Sequence, residues 1–111
     1  MEQEKIEAKK QSVETYLEKY GAVAVETKSE EAFGHRRTYE QGGVYYRVDE
    51  NEIDGRTFLI VSAADDPKFA NVGVMEDVAA FPADLSEEQI EKEVRYLLDV
   101  EPYPENYPDY D

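Results

Sequence analysis

Apolar residues along this chain change their spacing twice, and that change limits the folds open to it. Near both ends they recur every three or four residues, whereas from about residue 22 to residue 80 they alternate or form short runs. Helical spacing lets one stripe of a rod be buried; alternation lets one face of a strand be buried. With 111 residues, the chain has enough length for a layer of helix on a layer of sheet, and little more. The expected fold is therefore α+β. It comprises an N-terminal helix, a mostly antiparallel sheet of four to five strands and a C-terminal helix, with both helices packed on one sheet face. Residues 1–100 form the expected single domain, and residues 101–111 an extended acidic tail rich in Tyr and Pro.

The first helix is expected from Glu4 to Tyr20, with Ile6, Val13, Leu17 and Tyr20 on one stripe and Gly21 at its stop. Ala22–Val25 then reads as a short strand, apolar on both faces and central in the sheet. Residues 27–34 are polar and form a connection. His35–Glu40 and Val44–Asp49 read as strands joined through Gln41-Gly42-Gly43. The acid-rich stretch Glu50–Gly55 reads as a second connection, leading into Thr57–Ala63, the most hydrophobic run of the chain and a central strand. Asp65-Asp66-Pro67 breaks that run, and Val72–Ala80 supplies one more strand.

The start of the last helix carries the strongest local signal. Ser86 and Gln89 have the spacing of a capping box, and Leu85 and Ile90 that of a hydrophobic staple. Glu87 and Glu88 complement the dipole of the first turn, Ile90, Val94, Leu97 and Leu98 form the buried stripe, and Pro102 ends any continuation. Beyond it Tyr and Pro alternate with acids, a composition that favours extended backbone.

Composition narrows the chemistry. There is no cysteine, so disulfides, thiolate nucleophiles and Cys-based metal sites are excluded. A single histidine, His35, rules out multi-imidazole sites. The loop from Asp49 fails the calcium-hand pattern, because Ile53, Asp54 and Ile60 occupy its fifth, sixth and twelfth positions. No glycine-rich phosphate loop and no nucleophile elbow occurs. Acidic pairs such as Asp65/Asp66, Glu76/Asp77 and Glu87/Glu88 are too common in a chain with 27 acids to mark catalysis. No catalytic residue, metal ligand or cofactor is assigned.

The net charge of −15 is concentrated from Glu76 onward, where twelve acids face only Lys92 and Arg95. Such a field repels phosphate backbones and anionic lipid, so neither nucleic acid nor membrane is an expected partner. The N-terminal residues lack a basic stretch followed by an apolar run, and the cytoplasm is the expected compartment.

One surface stands out. If Gln41-Gly42-Gly43 is a three-residue loop, Glu40 faces Val44, Tyr39 faces Tyr45, Arg37 faces Arg47 and His35 faces Asp49. Alternation then turns His35, Arg37, Tyr39, Tyr45 and Arg47 onto one face, away from the helices, while Val44, Tyr46 and Val48 turn inward. Tyr and Arg are enriched where proteins meet partners. The expected function is a small acidic cytosolic interaction module, of accessory, inhibitor or immunity type, that binds another protein with a basic surface. In one version the C-terminal acids mimic the charge of nucleic acid. The alternative is a small-ligand binder or enzyme that uses Arg37 and Arg47 to hold an anionic substrate, with His35 as acid or base. A third option is homodimerisation through the same face. A register slip of one residue would reverse every assignment on it.

Overall fold

The computed structural model describes residues 2–25, 37–71, 74–108 and 110. In chain order they form α1 (Gln3–Lys19), β1 (Val23–Val25), β2 (Thr38–Gln41), β3 (Val44–Ile53), β4 (Arg56–Ala64), α2 (Pro67–Asn71), β5 (Glu76–Pro82) and α3 (Glu87–Leu97). The five strands lie side by side in sequence order, every neighbour antiparallel. The fold is thus α+β, with a five-stranded antiparallel sheet between two terminal helices.

Both long helices lie on one face. From α1 come Val13 and Leu17, from α3 Ile90 and Val94, and from the sheet Tyr39, Tyr46, Leu59, Val61 and Phe81, all in one buried cluster. Burying a side chain of this size contributes roughly 1.5–3 kcal/mol, so this layer is the main source of cohesion. Acidic side chains of α3 then tie the two helices together. Glu87 accepts from Ser12 Oγ and Tyr16 Oη, each at 3.0 Å. Glu91 accepts from Lys19 Nζ at 2.9 Å, Tyr20 Oη at 3.1 Å and Arg95 Nη1 at 3.1 Å. Through these contacts, led by the Lys19 hydrogen bond, the Glu91 carboxyl is held below its ordinary range.

The helix ends follow their local chemistry. Gly21, at φ 110°, closes α1; Ala22 N donates to the Leu17 carbonyl at 2.9 Å and Gly21 N to that of Glu18 at 3.1 Å. Ser86 caps α3, its Oγ accepting from Gln89 N at 3.2 Å. The far end of α3 stops at Asp99, at φ 61°, with Val100 N donating to the Arg95 carbonyl at 2.9 Å. The stop is therefore made three residues before Pro102, by an aspartate in the place where glycine is usual.

Several expectations are corrected. β1 is an edge strand, not a central one: only Ala22 before it is buried, and Val23 is 60% exposed. The stretch expected to connect from Glu50 continues β3 as far as Ile53, and the turn is Asp54-Gly55 alone, at φ 52° and 79°. These positive φ values suit the two-residue hairpin turns that match strand twist. The last strand lies later than expected, at Glu76–Pro82, and Phe81 belongs to the core. After Asp66, whose Oδ1 accepts from Lys68 N at 2.8 Å, the chain forms the short helix α2.

The second face of the sheet is not left bare. Thr38, Arg47, Phe58, Ile60 and Ala64 are buried there, on the side opposite the long helices. Among the described residues, no helix is long and apolar enough to cross a membrane.

Candidate functional site

The hairpin that was to carry the Tyr/Arg surface forms with a different register. Gly42 and Gly43, at φ 60° and 85°, make a two-residue turn, so Gln41 pairs with Val44, Glu40 with Tyr45 and Tyr39 with Tyr46. This is the one-residue slip that sends alternate side chains to opposite faces. The chosen turn is favoured because both of its positions need positive φ, and both are glycine. Glu40 Oε1 then accepts from Gly43 N at 2.9 Å.

The four candidate residues that the structure describes are consequently dispersed. Tyr39 is 1% exposed and faces the helices. Its hydroxyl meets Glu14 of α1 and Arg37, and burial, then the Glu14 charge, pushes it up to about 12. Arg37 is exposed on that same side, its guanidinium held further above its ordinary value first by the Tyr39 hydrogen bond. Burial in turn raises the Glu14 carboxyl, against the pull of Tyr39 and Arg37. Arg47 lies on the opposite face, 5% exposed; its Nε donates to Thr38 Oγ1 at 2.9 Å and its Nη2 to the Ala70 carbonyl of α2 at 2.8 Å. Tyr45 shares that opposite face and is half-buried. His35 lies outside the described residues. The two arginines do not converge, and no outward face joins Arg37 and Tyr39 to Tyr45 and Arg47.

A different surface emerges where β4 ends. Val44, Ala63, Ala64, Asp65, Phe69, Val74, Met75, Glu76 and Val78 line a groove of about 440 Å³. Phe69, Val74 and Val78 are 47%, 61% and 44% exposed, although each is large and apolar. Three local devices place them there. Asp66 starts α2, which carries Phe69. Val74 N donates to the Phe69 carbonyl at 2.9 Å, returning the chain beside it. A register shift between Val61 and Ser62 makes a bulge in the β4–β5 pairing, which sets Val78 outside the regular alternation. Asp65 and Glu76 stand on the rim.

Comparison with protein-family models, with curated proteins and with solved structures gives no match. The site is therefore read from its own chemistry.

The C-terminal tail forms a second wall next to this groove. It lies against α3 around Glu93, which is 2% exposed. Tyr107 Oη donates to Glu93 Oε2 at 2.5 Å and Tyr110 Oη to Glu93 Oε1 at 3.2 Å. Tyr96, Tyr103, Tyr107 and Tyr110 pack ring to ring, with successive centroids 5.0–6.0 Å apart. Burial, then the Glu93 hydrogen bond, holds the Tyr107 hydroxyl far above its ordinary value. The folded tail faces β5 across a channel of about 480 Å³, lined by Asp77, Val78, Ala79 and Ala80 on one side and by Tyr107, Pro108 and Tyr110 on the other. Val78 lines both the channel and the apolar groove. Nothing in the spacing of the sequence joins α2, β5 and residue 110, so pattern reading missed this site. The apolar residues Val74, Met75 and Val78 beside Glu76 and Asp77 were its local trace.

Proposed function

We propose that the protein is a small cytosolic interaction module that acts by binding another protein through the Phe69/Val74/Val78 groove. The observation that carries this reading is the gathering of three exposed large apolar side chains around one concave surface. Scattered surface apolar residues are ordinary, but a concave cluster with a polar rim is the usual form of a docking site. The charge of the rim and of the whole chain, −15, favours a basic partner, by steering encounter and by discouraging acidic competitors. An accessory, inhibitor or immunity role fits such a module.

The charge-mimic version has less support. Glu87, Glu91 and Glu101 hold Tyr, Lys and Arg side chains of the fold itself, and Glu93 is buried, so these acids do not form an open row for a basic groove.

The test is capture from an extract of the cells that make the protein, with wild type compared against Phe69→Asp and Val78→Asp. Both positions are substantially exposed, so both variants are expected to fold. A basic protein should be retained by wild type, lost by both variants, and bind again when purified, with an affinity that falls as salt rises. Capture unaffected by either substitution, or indifferent to salt, would overturn the reading.

A further inference from the structure

We propose that the outer edge of β5 accepts an extended segment of the partner as an added strand, one in which apolar residues alternate with Lys or Arg. This rests on the interaction reading above and specifies its mode. β5 is the last strand of the sheet, with β4 on one side and no strand on the other among the described residues. Every second residue of such an edge turns its N–H and C=O outward, which makes it a template for another strand. Proteins usually block these edges with lysines, prolines, bulges or a covering segment, and β5 carries one bulge, at Val78. Here Val78, Ala79 and Ala80 present small or apolar side chains, and proline appears only at Pro82. A channel of about 480 Å³ lies in front of Asp77–Ala80, with Tyr107, Pro108 and Tyr110 as its far wall.

Two features select the incoming strand. Glu76 and Asp77 are exposed at the start of the edge, and opposite charges on paired strands stabilise while like charges oppose. A second copy of this chain would bring the same two acids and a net charge of −15, so self-pairing is disfavoured and a basic strand is favoured. The apolar groove and the Tyr/Pro wall both border Val78, so the segment's apolar side chains, all on one face of the added strand, meet apolar surface beside the edge. Strand addition of this kind draws affinity from the main chain and specificity from side-chain pockets.

The experiment uses the full chain, isotopically labelled, and a synthetic peptide of alternating Lys and Val long enough to span β5. Binding should move the backbone amide signals of residues 76–81 more than those of β1, the opposite edge. Methylating alternate backbone nitrogens of the peptide keeps its charge and side chains but removes its donors. It should weaken binding about tenfold or more. A Lys-Gly peptide of equal charge should bind more weakly, and a Glu-Val peptide should not bind. Equal affinity for the methylated or the Lys-Gly peptide, shifts centred away from β5, or no binding at low salt would each overturn strand addition. Any of these outcomes leaves the Phe69 and Val78 variants to judge the groove independently. Should those variants retain the captured protein while the peptide still docks on β5, the groove reading fails instead.

Discussion

Two buried clusters of ionisable side chains show how single residues set the behaviour of this protein. Glu14 ionises near its ordinary value, 4.5, when the chain is unfolded, but burial raises that value in the fold. The folded state therefore holds the proton more tightly. The stability this contributes is complete below 4.5 and is lost as pH rises through the higher folded value. Glu14→Gln keeps an acceptor for Tyr39 and removes the titration. Denaturant midpoints at about pH 4 and pH 7 should show the variant gaining on wild type at the higher pH. Tyr39 behaves likewise at the alkaline end, since its hydroxyl ionises at about 12 in the fold and 10 outside it. Its contribution is full below 10 and disappears as pH climbs towards 12, so Tyr39→Phe should flatten that part of the alkaline unfolding curve. At Glu93, Tyr107→Phe removes one of the two tail donors from a buried carboxylate. The expected loss is roughly 1–3 kcal/mol, seen as a fall in melting temperature.

At the scale of elements, the turns and caps decide more than their size suggests. Gly42 and Gly43 both have positive φ, and a Cβ at either would meet nothing within 4 Å. The cost of substitution is thus the backbone's own. Gly43→Val should destabilise by about 1–2 kcal/mol, whereas Gly42→Asn, a residue suited to this turn, should be close to neutral. Chemical denaturation separates the two. The end of α3 offers the opposite case. Asp99 occupies the left-handed stop that glycine fills without strain, so Asp99→Gly should stabilise by up to about 1 kcal/mol. Ser86→Ala should cost about 1 kcal/mol by leaving Gln89 N without its cap. The contrast between these two ends explains why the start of α3 was legible from its residues. A serine and a glutamine at capping spacing announce themselves, and an aspartate acting as glycine does not.

In the whole molecule, the helix layer, the five strands and the tail divide the surface unevenly. One sheet face is covered by α1 and α3, and the other is buried at Thr38, Arg47, Phe58 and Ile60. On the β5 side, groove, bulge and tail meet. The tail belongs to the architecture, because it covers Glu93 and Tyr96, both buried. Ending the chain after Val100 should uncover them. The expected result is a lower melting temperature and faster amide exchange in the last turns of α3, with the β3–β4 pairing least affected.

By itself, the sequence determined the kinds and order of the two long helices and the five strands, but not the short helix α2. Periodicity is a local property, and the stripes of Ile6, Val13 and Leu17 and of Ile90 and Val94 face the core because no other face of those helices is apolar. The tertiary structure decided the register of β2 on β3, and with it which way Tyr39 and Arg47 point. The reason is that a strand with mixed residues on both faces can pair in two ways, and the turn that fits the strand twist chooses between them. It also decided that residues 107 and 110 close over residue 93 and stand opposite β5. Contacts between segments so far apart depend on where whole layers come to rest, which local spacing does not encode.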